Sequence, residues 1–503
     1  MDELIKNRRL NHGKPISYTC KQKTNYMESQ LSQSEDPETT FVNDIVHGII
    51  KLPVYIKEII DSPQFQRLRH IRQLGFGYFV YSSAGYSRFE HSIGTFHLAS
   101  ELIKQLKNQT DQDKEIEISD EDVKCVEIAA LCHDLGHGPY SHFWEHAFDN
   151  ETIEPRKHED LSVEIFSMLL EHIKSDETQK IKDKIGLKKN TIDLIKRIIL
   201  GNFDKEIDKK RMFLFEIVAN KCSGLDVDKF DYLCRDSIYF GWSNKNKIHD
   251  IKRILHFLRI AKKSDMWHLA MRDREIFHIH DVFYYRHLLH RYGYQHKTVK
   301  IIECMFNDAL NDIVHNEDAR NELIETVIGP KVYDPKIWFS SEFISKVCDY
   351  HIWNIMSKYT SGIVERIQER KLYKIFDQIQ IELNPNFQGQ KGHIDLQEIK
   401  SKLKDFPIKF VISSFALQSE NRGNPLLSVN FYTKQNPLKC TNYEEESLPD
   451  LVKLKGDEIV LMIFTETIPN KETERMLRTL KANLCSNEIE GLREKYIFRA
   501  KLY

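Results

Sequence analysis

At 503 residues the chain can bury a substantial core, and its length suits roughly three domains, fewer where helical units merge into one body. Lys and Arg (73) balance Asp and Glu (75) to a net charge of -2, so no global basic field recommends nucleic acid or a membrane surface, and any attraction for phosphate has to be local. The 9 Cys form no CxxC pair, MDELIKNRRL holds no apolar signal core, and no window approaches ~18 uninterrupted apolar residues, which excludes a disulfide scaffold and a helical membrane span and points to a reducing intracellular compartment, nucleus or cytoplasm.

Residues 1–40 are polar, rich in Asn, Gln, Ser and Thr, with no apolar period, and are expected to be a disordered tail. Residues 41–330 carry a mainly helical pattern. Ser87-Arg88-Phe89-Glu90 has capping-box spacing ahead of Ile93, Phe96, Leu102, Ile103 and Leu106, which places His91 in the first turn of a helix. Ser119 with Asp122 opens another helix, whose apolar residues Val123, Val126, Ala130 and Leu131 run to His133-Asp134 just before Gly136. Residues 331–503 begin helical and then give short alternating runs, Lys409–Ile412, Leu427–Tyr432 and Glu458–Phe464, the pattern of a smaller α+β lobe. The sequence contains no internal repeat or low-complexity tract.

Four scattered segments end in metal-ligand residue types: RFEH with His91, CHDLGHG with His133, Asp134 and His137, PYSH with His142, and GLDVD with Asp228. An adjacent His-Asp pair completed by one more His and one more Asp makes a mixed N/O shell suited to Fe, Mn, Zn or Ni, with a position left for water. Such a site polarises a phosphoryl oxygen and generates a nucleophile near neutral pH. The departing oxygen also needs a proton, and His137, His142 and His158 lie near the pair in sequence, with Glu145 placed to orient an imidazole or raise its pKa; some of these histidines could equally be supporting hydrogen-bonders. Lys229, Tyr232 and Asp236 fall at i, i+3 and i+7 beside Asp228, and Arg286, His290 and Tyr294 at i, i+4 and i+8, so each set can line one wall. Arg88 and Arg286 suit oriented contacts with phosphate oxygens, Lys229 a point-charge contact.

The order H...HD...D and the runs RFEHSIG, LCHDLGHGPYSH and GLDVDKFDYLCRDS closely resemble the SAM- and HD-domain-containing deoxynucleoside triphosphate triphosphohydrolases, from about Phe41 to about Lys434. The resemblance implies a mainly α fold, an HD helical core with the small α+β lobe behind it, and cleavage of dNTPs to deoxynucleoside and inorganic triphosphate. It implies one transition metal (Fe, Mn or Zn) on His91, His133, Asp134 and Asp228, with Mg accompanying the nucleotide phosphates. The 40-residue tail is too short for the SAM domain that longer members carry. His142 and His158 match the family's catalytic histidines, while Glu145 stands where the family carries Asp. Gln73 and Asp236 match residues that bond the 3'-hydroxyl, Tyr294 the ring that excludes a 2'-hydroxyl, and Leu74 a residue beside the base.

The family assembles into tetramers around activating nucleotides. Asp61, Gln66 and Arg69 match its guanine-reading site, and Val42, Asn43, Val80, Arg253, Arg272, Arg274 and Lys297 its neighbouring deoxynucleotide site. GTP and dNTPs are thus the implied activators and a homotetramer the implied assembly. Thr40 and His278 depart from the expected Lys and Asn, and three extra residues fall between Asp236 and Arg253, so control is less completely matched than chemistry. Weak single-stranded nucleic-acid binding is a further implied interaction. Two other readings compete: a different HD nucleotide phosphohydrolase or phosphodiesterase, separated by its products, and a non-catalytic single-strand-binding protein, separated by salt-dependent binding that needs no metal shell.

Overall fold

A computed structural model describes residues 39–110, 115–148, 153–175, 177–204, 208–242, 251–383, 409–415, 424–449 and 458–466, with a few further positions including the strand Tyr496–Ala500. The expected tail lies almost wholly outside these residues, and the expected insertion after Asp236 overlaps 243–250, also outside them. The body is mainly α, as the patterning implies. Helix α1 (Arg88–Thr110) begins where Glu90 reaches back to accept from the Ser87 backbone N–H at 3.2 Å and its hydroxyl at 3.3 Å. Helix α2 (Asp120–Cys132) begins in a full capping box between Ser119 and Asp122 and ends with His133 as its C-cap. These caps satisfy backbone donors that would otherwise be orphaned at helix starts.

Short helices α3 (His142–His146) and α4 (His158–Leu170) follow, then α5 (Val227–Tyr239) and α6 (Ile276–Leu288). One apolar core runs through them, with Phe65, Leu106, Leu131, Ile165, Phe230 and Ile302 all buried, each such side chain contributing roughly 1.5–3 kcal/mol. The helices within Pro335–Gln368 join the same core through Trp338, Phe343 and Ile352. Arg67, buried between them and the α2–α3 connection, donates to the carbonyls of Val347 (2.7 Å) and His137 (2.6 Å). Among the described residues, no helix is long and apolar enough to cross a membrane.

The C-terminal α+β lobe contains an antiparallel sheet in the order Lys409–Phe415, Glu458–Thr465, Lys374–Leu383, Tyr496–Ala500. Two of the three expected runs are therefore strands. The third, Leu427–Tyr432, is corrected: Pro425–Ser428 is a 3-10 turn capped by Asn424, and only Phe431–Tyr432 is extended, pairing in parallel with Met271–Arg272 in another sheet. Pro425 sets the turn's φ at its first position, which the alternating pattern downstream conceals. Inside the region read as mainly helical lie two hairpins, Thr40–Asp44 with Gly48–Leu52 and Arg259–Lys263 with Met266–Arg272. The second turns at Ser264, which takes φ 54°.

Candidate functional site

His91 in the first turn of α1, His133 and Asp134 at the end of α2, and Asp228 in the first turn of α5 converge on one point. His91 Nε2 lies 3.0 Å from Asp228 and 3.6 Å from Asp134, and His133 Nε2 lies 3.3 Å from Asp134 and 3.5 Å from Asp228. His133 Nδ1 donates to the Ala130 carbonyl at 2.8 Å, which leaves the Nε2 lone pair for a ligand role; that atom is buried with no hydrogen-bond partner among the described residues. His91 Nδ1 donates to Asp231 at 2.8 Å, the carboxylate–imidazole arrangement that supports metal-bound histidines. Burial opposes a charge on His91, but Asp228, Asp231 and Asp134 outweigh it and raise its pKa to about 10. Likewise burial opposes ionisation of Asp134, yet the Arg88 guanidinium beside it holds its carboxyl well below the usual range. Two imidazoles and two carboxylates around a buried unsatisfied nitrogen, in a field that favours positive charge, fit a divalent metal.

Next to this point His137, His142, Glu145 and His158 form a second cluster. His158 donates to Glu145 at 2.7 Å, His137 stacks on His158 with centroids 3.8 Å apart, and His142 Nδ1 lies 3.6 Å from Glu145. Burial works against a charge on His158, but Glu145 overrides it and raises the pKa, whereas burial and the nearby Arg88 keep His137 neutral. His142 is the exposed member, its side chain 65 % accessible. It follows two residues with positive φ, Tyr140 (56°) and Ser141 (62°). That turn is held by Asp349, which accepts from the backbone N–H of Tyr140 (2.8 Å) and Arg72 (3.0 Å), and by Ser141, which accepts from Arg88 Nε (2.7 Å).

Helix α5 carries Lys229, Tyr232 and Asp236. Asp226 caps it by accepting from the Lys229 N–H at 3.0 Å, and its carboxylate pairs with Lys229 Nζ at 3.1 Å. Farther along, Asp236 accepts from the hydroxyls of Tyr294 and Tyr86, and burial raises its pKa to about 6. Leu74, Tyr232 and Tyr294 pack on one apolar cluster with Phe240 and Leu289. The spacing of Arg286, His290 and Tyr294 assumed a continuous α-helix; instead Leu289–Tyr294 is a π-helical turn after α6, with His290 and Tyr294 in edge contact at 4.9 Å. Gln73 Oε1 and His290 Nδ1 are buried without partners among the described residues.

An HD domain model matches residues 88–236, the span from the start of α1 to Asp236. Over most of its length the chain is similar to proteins named deoxynucleoside triphosphate triphosphohydrolase SAMHD1: 34% identical to that of Gallus gallus over 87% of this chain and 73% of the relative. The Homo sapiens protein is 31% identical over 86% of this chain and 71% of the relative, and the Dictyostelium discoideum homolog 30% over 92% and 84%. This chain belongs to the SAMHD1 family.

The SAMHD1-family residues expected at the activator site fall on several elements. Asp61, Gln66 and Arg69 lie along one surface turn, where Arg69 Nε donates to Gln66 at 2.8 Å, its guanidinium covers the Phe89 ring at 3.4 Å, and Asp61 pairs with Lys57 at 2.5 Å. Arg253 forks onto the buried Glu275 at 2.7 and 2.8 Å, and His278 approaches the same carboxylate at 2.9 Å. Arg272 ends its strand and Arg274 sits in the turn beside them; Val42 and Asn43 stand on the N-terminal hairpin, Val80 after the turn Gly75–Phe79, and Lys297 at the start of Lys297–His315.

Sequence reasoning missed the residues behind the site: Asp231, Arg235, His47, Tyr86 and Gly94. Asp231 was findable, since it sits three residues after Asp228 and so on the same helical face, with Arg235 four residues farther on. Nothing local marks His47 or Tyr86, which reach the site only through the fold.

Proposed function

We propose that this chain hydrolyses deoxynucleoside triphosphates to deoxynucleoside and inorganic triphosphate, with His91, His133, Asp134 and Asp228 as metal ligands. The observation that carries this reading is the convergence of those four side chains next to a wall, Lys229, Tyr232 and Asp236, presented by the helix that also carries Asp228. A divalent metal held there supplies Lewis-acid polarisation of a phosphoryl oxygen and a nucleophilic water near neutral pH. Lys229, Arg286 and Arg88 bind phosphate oxygens, and Arg88, tied to Asp134 and Ser141, also keeps the ligand carboxylate in orientation.

Asp236 and Gln73 hold the 3'-hydroxyl, Leu74 lies beside the base, and Tyr294 occupies the space a 2'-hydroxyl would need. His142 protonates the departing 5'-oxygen, oriented by Glu145, which His158 anchors at 2.7 Å. His137 packs the ring of His158 in place. The pocket therefore demands a 3'-hydroxyl and tolerates several bases, since a buried polar partner left unmatched costs more than an apolar misfit.

Activation by GTP and dNTPs through assembly into a homotetramer completes the proposal, with Asp61, Gln66 and Arg69 reading guanine and Asn43, Val80, Arg253, Arg272, Arg274 and Lys297 taking the second nucleotide and its Mg-bound phosphates. Incubating the protein with each dNTP, with and without GTP, and separating the products tests it. Deoxynucleoside and intact triphosphate are expected; release of monophosphate or stepwise dephosphorylation would assign another HD-type phosphohydrolase activity.

A further inference from the structure

The hairpin Thr40–Leu52 is far in sequence from every metal ligand, yet its turn reaches the back of the metal site. His47 Nε2 donates to Asp231 Oδ1 at 2.6 Å, and both side chains are buried. The other Asp231 oxygen accepts from His91 Nδ1 at 2.8 Å. Arg235 bonds both oxygens of the same carboxylate at 2.9 Å, so Asp231 accepts four hydrogen bonds, one from each imidazole and two from the guanidinium. That fills the lone-pair sites of a carboxylate and fixes its plane.

We propose that His47 is a positioning residue for the ligand His91, acting through Asp231, so that the turn of the N-terminal hairpin sets the geometry of the metal site. The turn is held at both ends of this network. Asp44 accepts from Arg235 at 2.8 Å with one oxygen, and with the other from the backbone N–H of Val46 (2.8 Å) and His47 (2.9 Å). The imidazole of His47 is therefore presented by a turn whose own shape depends on the arginine that grips Asp231. The carboxylate and guanidinium also occupy the space where a side chain at Gly94 of α1 would stand. Gly94 thus lets the α1 backbone close on the carboxylate, and His47 shares with Arg235 the task of fixing the Asp231 plane that presents Oδ2 to His91. The outer face of the hairpin, with Phe41, Ile45 and Ile49 exposed, takes no part in holding it.

The inference rests on the proposed metal ligand set but not on the identity of the substrate, and the test reads metal directly. Full-length protein is stripped, and the affinity and visible absorption of Co(II) are measured for the parent, His47→Gln, His47→Asn and Asp231→Asn. A Gln amide nitrogen reaches about where Nε2 lies, whereas an Asn amide stops at the Nδ1 position, and both are polar residues that a turn accommodates. Loss of a group directly behind a ligand typically costs about 10–100-fold in metal affinity, so that is expected for Asp231→Asn; His47→Asn is expected to lose about tenfold with a shifted Co(II) band, and His47→Gln to stay within about twofold of the parent. A role confined to holding the hairpin would lower the melting temperature of the metal-free protein without changing the Co(II) band. Parental affinity and spectrum in His47→Asn, or equal losses in His47→Asn and His47→Gln, would overturn the proposal. A parent that binds no cobalt overturns the metal reading beneath it, and an unexpected substrate leaves this titration untouched.

Discussion

Tyr294 donates its hydroxyl to Asp236, joining the π-helical turn after α6 to the helix that carries Asp228. The bond pins the tyrosine ring against the carboxylate proposed to hold the 3'-hydroxyl, so in the proposed pose one side chain both braces that group and fills the space beside C2'. Tyr294→Ala should raise the ratio of GTP to dGTP hydrolysis by about 10- to 100-fold, the scale on which a pocket discriminates an added hydroxyl, while Tyr294→Phe keeps the ring and the exclusion. An unchanged ratio in the alanine variant would show that the ring is not what excludes ribonucleotides.

The two histidine clusters make separable predictions. His133→Ala removes an imidazole whose Nε2 points into the ligand set, so metal content and turnover should disappear together. His142→Ala should keep its metal while turnover falls by roughly two to four orders of magnitude, the scale of a lost general acid. Metal analysis alongside single-turnover rates decides the matter, and a metal-loaded, fully active His133 variant would defeat the ligand assignment.

Gly94→Ala places a methyl group where the Asp231 carboxylate and Arg235 guanidinium now lie. Both partners are buried and hydrogen-bonded, so neither can move aside without breaking the network. A stability loss of about 1–3 kcal/mol, the usual cost of overpacking a core, is expected together with reduced metal content. Denaturant unfolding and metal analysis of this variant check both effects; parental values in each would mean that the helix shifts freely.

The primary structure made His91 legible because it lies in the first turn of a helix whose cap, Ser87 with Glu90, leaves a local signature, and Asp226 likewise caps the helix of Asp228; His133 and Asp134 instead follow the far end of the helix that Ser119 and Asp122 open. The His-Asp adjacency of His133 and Asp134 needs no tertiary information at all. By contrast His47, Tyr86 and Asp349 act across more than a hundred residues of sequence, and no period or spacing marks such a contact. The Leu427–Tyr432 run misled because Pro425 and Asn424 determine the local turn before alternation can act. The hairpin at Arg259–Arg272 was hidden by a helical prior over the whole region, although Ser264-Asp265 between two β-prone runs is a turn signal. The π-helical turn at Leu289–Tyr294 has no sequence mark that distinguishes it from an α-helix.

Asp349 gives a pH-dependent test away from the metal. Burial raises its pKa from 3.8 to about 6, although the Tyr140 and Arg72 amides it accepts from pull the other way. Between those two values the folded protein holds a proton that the unfolded chain has released. Its contribution to stability is therefore complete below about pH 4 and is lost as pH rises through about 6. Asp349→Asn removes the titration, so the unfolding free energy of the parent minus that of the variant should fall by up to about 3 kcal/mol across this window. Equilibrium urea unfolding at several pH values measures the difference, in which other titrating groups cancel. A flat difference would mean that the two amides hold Asp349 ionised in the folded protein.

The proposed activator site rests on Asp61, Gln66 and Arg69. A carboxylate can accept from the N1-H and N2-H edge of guanine, which adenine lacks, while Gln66 adds a neighbouring hydrogen bond and Arg69 contacts phosphate. Asp61 now pairs with Lys57 at an exposed position, an ion pair worth little that a guanine can replace, whereas Arg69 lies flat on Phe89 and must lift or reach past it. GTP should therefore promote assembly and turnover, with GTP effective where ATP is not. Binding at a subunit contact favours the assembled state only to the extent that it is tighter there than in the free chain. Thr40, in place of the expected lysine, leaves the proposed site with one positive charge fewer, which should weaken activation without altering base choice. Thr40→Lys should accordingly lower the GTP concentration needed for half-maximal activity, and Asp61→Ala should abolish the response to GTP while leaving the metal in place. Sedimentation and turnover over a GTP titration measure both. Full activity without nucleotide, with no change in oligomeric state on adding GTP or dNTP, would remove the activator assignment and leave the hydrolytic one standing.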